Sequence, residues 1–158
     1  MSRQWYGSID NRMTEGRTYG KIEVGTGVTE MGYSDRHAYE VVEVIDEKHL
    51  LVRRCKATRT DNNGMSDSQS YKYELEPYEE KVITEELLAN KSVMHMMQMF
   101  QPKTYAKVMS GKIGDKYGDN NVRLVLTKNG WRARNAEGKL SDNKFAVGIK
   151  EEYFDYSF

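Results

Sequence analysis

Ser34-Asp35-Arg36-His37 gathers a hydroxyl, a carboxylate, a guanidinium and an imidazole in four consecutive residues. That is the inventory for general acid–base work or for gripping an anion. Neighbours on a strand point to opposite faces, so the four converge only in a loop; otherwise Asp35 caps a structural turn. A second polar group, Asp61, Asn62, Asn63, Ser66, Asp67 and Gln69, surrounds Gly64 and suits either a turn or a loop that reads a polar ligand. Asp35, Arg36, His37, Asn62, Asn63, Ser66 and Gln69 are accordingly the expected ligand set if the protein sequesters an anionic nucleotide. No metal is expected, because the polar loop lacks the terminal Glu of a calcium loop and His37, His49, His95 and Cys55 match no zinc spacing. Gly111-Lys112 is not followed by Ser or Thr, so nucleotide hydrolysis has no support. The expectation is a protein without catalytic residues or cofactor, an enzyme of unknown reaction being the third alternative.

Two further constellations lie between Pro77 and Asn121. Met94, Met96, Met97, Met99 and Phe100 crowd one short stretch, and methionine is a flexible, polarizable residue that serves either as core filler or as an adaptable docking surface. Beyond it, Lys103, Tyr105, Lys107, Lys112, Lys116 and Tyr117 interleave cations with stackable rings, and Arg123, Arg132 and Arg134 extend the series. Single-stranded nucleic acid or a nucleotide requires that chemistry, and a merely solvated basic face has the same composition.

The elements that position these residues read as short strands. Glu40–Ile45 and His49–Ala57 flank a polar turn in the layout of a hairpin; Val24–Thr29 supplies another strand, Tyr33–His37 a loop, and Ser68–Tyr73 a strand after the Asp61–Gly64 turn. Val122–Thr127 and Trp131–Arg134 form a hairpin whose Asn129-Gly130 suits a type I′ turn, and Phe145, Val147 and Ile149 alternate as a closing strand. Thr84 with Glu85 and Glu86 opens a helix that runs to Gln101, where Pro102 ends it, and 111–118 is a glycine-rich loop. The chain of 158 residues, with 24 basic and 24 acidic side chains, is long enough for one domain with a real core. Its neutral balance argues against bulk packaging of nucleic acid. With a mean hydropathy of −0.80, no apolar leader and a single cysteine, a non-membrane, cytoplasmic protein is expected.

Glu23–Thr29, Tyr33–Tyr39, Thr60–Ser66 and Tyr153–Phe158 together resemble a family of small accessory proteins from phages and prophages of gut bacteria. The resemblance covers roughly 5–73 and 122–158, and 77–121 departs from the family pattern as an insertion. It implies a small β-fold and an accessory, anti-defence type of role, and it brings no catalytic residues. The expected fold is mainly β: a small SH3-like or related β-barrel with one inserted Met-rich α-helix, comprising an N-terminal arm (1–20), a β-scaffold (21–76 and 122–158) and the insertion (77–121). The expected function is that of a non-enzymatic inhibitor. Its helix and basic loop would dock on a host protein or nucleoprotein complex, a defence or nucleic-acid-processing component, and block it. A homo-oligomer is compatible with this reading.

Overall fold

A computed structural model describes residues 15–156. Within these described residues nine strands and three helices follow one another as β1 (Gly27–Met31), β2 (Arg36–Asp46), β3 (His49–Arg59), β4 (Tyr71–Leu75), β5 (Glu80–Val82), α1 (Glu85–Ala89), α2 (Lys91–Phe100), α3 (Pro102–Ser110), β6 (Lys116–Asp119), β7 (Asn121–Thr127), β8 (Gly130–Arg134) and β9 (Leu140–Val147). Hydrogen bonding runs β2-β1-β9-β8-β7-β3 and returns from β3 to β2, so six antiparallel strands close a barrel. The expected small β-barrel is the fold. Closure pairs the six strands on both sides over most of their length, and β4 adds to the far end of β3.

Alternation decides what fills the barrel. Val28, Val41, Leu50, Val52, Leu124, Trp131, Phe145 and Val147 form one buried cluster, each from a position facing inward under a period of two. Trp131 is fully buried and spends its indole N–H on Thr18 Oγ1 at 2.8 Å. The segment before β1 therefore belongs to the barrel wall: Gly16 O accepts from Trp131 N at 2.8 Å, and Tyr19 N donates to Val147 O at 2.6 Å. Residues 1–14 of the expected N-terminal arm lie outside the described residues.

The β7–β8 hairpin corrects one expectation. A type I′ turn needs positive φ at both central residues, yet no described residue other than glycine has positive φ. Thr127 pairs with Gly130, Lys128 and Asn129 make the turn, and Gly130 alone enters the left-handed region, at φ 102°. A Cβ there would stand 2.2 Å from Glu15 O, so the glycine serves the approach of the N-terminal segment as much as the turn.

The segment 77–121 is more elaborate than the expected helix and loop. Thr84 caps as expected, accepting from Leu87 N at 3.1 Å, but the helix expected over 84–101 breaks at Asn90. Its backbone leaves helical geometry (φ −82°, ψ 90°) to end α1, and its side chain accepts from Val93 N at 3.1 Å to start α2. Asparagine competes with the helical backbone in this way and favours caps over interiors. Pro102 closes α2 and begins α3, where its fixed φ and missing N–H cost nothing. Part of the expected glycine-rich loop is β6, which pairs with β5 as a two-stranded ribbon. Ile83, Met97 and Val108, flanked by Leu87, Met94, Tyr105 and Tyr117, make a core of their own, apart from the barrel's.

The ends of this helical module meet at a neck. Asn120 Nδ2 donates to Pro77 O at 2.9 Å, and its Oδ1 accepts from Glu79 N at 2.9 Å. Arg53 of β3 holds both sides, donating to Glu76 O at 3.1 Å and to Asn121 Oδ1 at 2.9 Å. A second tie comes from the β8–β9 turn. Gln101 gives α3 no side-chain cap; the Glu137 carboxylate does so instead, accepting from Lys103 N at 2.9 Å and Thr104 N at 3.1 Å. Burial would raise the Glu137 carboxyl, but these hydrogen bonds outweigh it and hold it below the ordinary range.

Candidate functional site

The methionine cluster divides between inside and outside. Met97 is buried and Met94 half-buried in the module core, so these two expected docking residues are covered by the chain itself. Val93, Met96, Met99 and Phe100 remain 41, 55, 58 and 63 % exposed. Val93, Met96 and Phe100 follow the i, i+3, i+7 spacing of one helix stripe, with Met99 one turn from Met96. Val93 was missed because its type is unremarkable beside the methionines; its register on α2 places it on the exposed stripe.

Within α2 and α3 the charged side chains carry one sign. From Lys91 to Ser110 there is no Asp or Glu, while Lys91, Lys103 and Lys107 stand exposed on α2 and α3. An apolar strip with a cationic border fits an apolar surface bordered by carboxylates.

The remaining members of the expected basic patch scatter. Tyr105 and Tyr117 pack in the module core, which removes them as base-stacking platforms. Lys116 Nζ is taken by Tyr78 Oη at 2.6 Å and Asp119 at 3.2 Å. Lys112 donates its backbone N–H to Asp115 at 2.9 Å and leaves its side chain exposed. Arg123, Arg132 and Arg134 do come together, on the outer face of β7 and β8, where Arg123 faces Arg134 and Arg132 faces Val125. On the other side Arg132 faces Lys144 of β9, a cation the sequence reading missed.

The two polar motifs also meet, around a segment neither predicted. Residues 151–156 cross from the end of β9 over the start of β2 to the β3–β4 hairpin. The Glu152 carboxylate is the hub, accepting from Arg54 at 2.8 Å and Ala38 N at 2.9 Å and lying 3.1 Å from His37 Nδ1. Burial pushes its carboxyl up, but the hydrogen bonds from Arg54, Ala38 and His37 outweigh this and keep it below the ordinary value. Asp35, Arg36 and Gln69 are likewise bonded to this segment. Asn63 and Ser66 build the turn instead: Asn63 Nδ2 donates to Ser68 O at 2.8 Å and Ser66 Oγ accepts from Ser68 N at 3.1 Å. Asn62 is exposed beside them. Ser34, Asp35, Arg36 and His37 thus do not converge as an acid–base set. Among the described residues no group of three or more His, Cys, Asp or Glu side chains is placed to hold a metal ion. Among the described residues no helix is long and apolar enough to cross a membrane.

No family model, no curated protein and no solved structure matches the chain.

Proposed function

We propose that this is a binding protein whose helical module docks, through Val93, Met96, Met99 and Phe100 of α2, into an apolar surface bordered by acidic residues on a partner protein. The observation that carries the reading is the exposure of these four large side chains on a helix whose opposite side already has a core. A side chain needed only for folding belongs with Met97, inside; four exposed neighbours instead form the apolar centre of an interface. The cationic border contributes orientation and rate of encounter more than affinity. In the form the sequence resemblance suggests, the partner is a host macromolecule and occupancy of its surface blocks it.

The test uses photo-methionine incorporated in the full chain, crosslinked in extract of the host cell, beside a Met96→Gln/Phe100→Ser variant. The reading expects crosslinked proteins that disappear in the variant while its near-ultraviolet circular dichroism stays native. An unchanged crosslinking profile, self-association that buries α2, or equally strong binding of anionic vesicles overturns it.

A further inference from the structure

We propose that the cleft between the start of β2 and the β3–β4 hairpin is a binding site for an extended acidic–aromatic peptide. In the closed molecule this chain fills the cleft with its own residues 151–156, and in an exchanged dimer a second copy fills it with the same segment.

The backbone supplies the first half of the recognition. β3 pairs with β2 only as far as Arg54 opposite Tyr39, so that side of β2 is open at Arg36. Tyr153 takes it: Arg36 N donates to Tyr153 O at 3.0 Å and Tyr153 N to Arg36 O at 2.9 Å. That is strand addition by a peptide.

Side chains read the sequence of the segment. Arg36 holds both Glu151 carboxylate oxygens at 2.8 Å, and Arg54, His37 and Ala38 N–H surround Glu152. Tyr73 Oη accepts from Glu152 N at 3.1 Å, and Asp67 accepts from Tyr153 Oη at 2.7 Å. The Gln69 amide satisfies both backbone groups of Phe154, donating to its O at 2.7 Å and accepting from its N at 3.1 Å. Asp35 accepts from Asp155 N at 2.7 Å, and Arg59 donates to Tyr156 Oη at 3.4 Å. Every residue from 151 to 156 is contacted by a polar group of the cleft.

None of the six is buried, and Phe154 is half exposed. The segment is held by charge and hydrogen bonds, so it can leave without opening either core. Its root cannot. Thr29 Oγ1 donates to Ile149 O at 2.6 Å, Lys150 Nζ pairs with Glu40 at 2.9 Å, and Gly148 lies where a Cβ would meet Tyr19 O at 1.8 Å. The pivot therefore falls between Lys150 and Glu151. Six extended residues reach about 20 Å, enough to enter a neighbouring molecule. Departure of the segment leaves the Arg36 and Arg54 guanidiniums facing an unpaired strand edge, the complement of an acidic peptide. In the closed chain the tethered segment competes at an effective concentration on the order of millimolar, which keeps exchange rare in the wild type.

The experiment uses full-length chains and a labelled peptide of residues 150–156. One variant, Glu151→Lys/Glu152→Lys, spoils the segment and keeps the cleft; another, Arg36→Glu/Arg54→Glu, spoils the cleft and keeps the segment. By fluorescence anisotropy the peptide should bind the first at least tenfold tighter than wild type and the second no better than wild type. A peptide with both Glu changed to Gln should lose at least tenfold. Mixing the two variants should give a heterodimer in sedimentation that neither forms alone. Should the first variant lose its Trp131 near-ultraviolet signal, Tyr153→Pro, which removes only the segment's backbone donor and its contact with Asp67, takes its place. Failure of the peptide to bind any natively folded segment variant, or equal binding of the Gln peptide, overturns the proposal.

Discussion

Arg123 on β7 and Arg134 on β8 stand opposite each other in register, and both are exposed on the outer face of the barrel. Among the described residues neither guanidinium has a hydrogen-bond or ion-pair partner, whereas those of the other described arginines do: Arg17, Arg36, Arg54 and Arg59 pair with carboxylates, and Arg53 and Arg132 donate to side-chain or backbone oxygens. Like charges directly opposite on neighbouring strands destabilise a sheet. Arg134→Glu should therefore stabilise the fold, by roughly 0.5 kcal/mol, read as a higher urea midpoint with an unchanged slope. If the pair grips a polyanion, the same substitution should abolish salt-dependent binding of a labelled oligonucleotide.

The two sides of α2 should answer differently to similar changes. Met97→Ser should cost about 2–5 kcal/mol of module stability, since it empties a buried site. Met96→Gln should stay within about 0.5 kcal/mol. Hydrogen exchange resolved along 83–117 checks both, and equal effects would put Met96 in the core.

Glu137 caps a helix to which it does not belong. Glu137→Ala should speed amide exchange at Lys103 and Thr104, whose N–H groups it accepts, and leave the barrel amides around Trp131 unchanged. Uniform acceleration would show that module and barrel unfold as one unit.

Acid should loosen the polar cleft. The Arg59 hydrogen bond first, then the N–H groups of Ser70 and Asn63, hold the Asp61 carboxyl well below the carboxylate range, and Glu152 is also depressed. Because both folded values lie under the unfolded ones near 4, the unfolded chain takes up protons first as pH falls. Their contribution is complete above about pH 5 and lost as pH drops through the folded values. Urea midpoints at pH 3, 4, 5 and 7 should show it, and replacing Glu152 with Gln should flatten the profile. The Tyr153 phenol, pushed up to about 12 by its hydrogen bond to Asp67, stays neutral throughout.

Gly130→Ala should destabilise by roughly 1–3 kcal/mol, since it combines positive φ with a collision against Glu15 O. A neutral result in thermal unfolding would mean that the N-terminal segment moves aside without cost.

The barrel was legible because burial writes itself into alternation: Phe145 and Val147 point inward, and the hairpin of β2 and β3 follows its β-branched runs. The helical module was legible only in part. Asn90 in an otherwise helical run gives little sign of which backbone it will cap, and the pairing of Glu80–Val82 with Lys116–Asp119 joins residues far apart in the chain through strands too short to show a period. For the sites, residue type located the methionines, but only the axis of α2 separates Met97 from Met96. Arg36 and Gln69 read as binding groups by type, yet their partners lie more than 80 residues away, at the acid Glu151 and the backbone of Phe154. Local spacing carries no trace of such meetings.

Because Asn120 ties off the chain at Pro77 and Glu79, the barrel meets everything between them as though it were a tight turn. Modules of other lengths and other surfaces could be grafted at that junction without renegotiating a single barrel contact, provided that Arg53 still finds its two acceptors and the residue opposite Glu137 presents free N–H groups. The scaffold is therefore a port, and the surface that it presents at the neck is set by what is plugged into it.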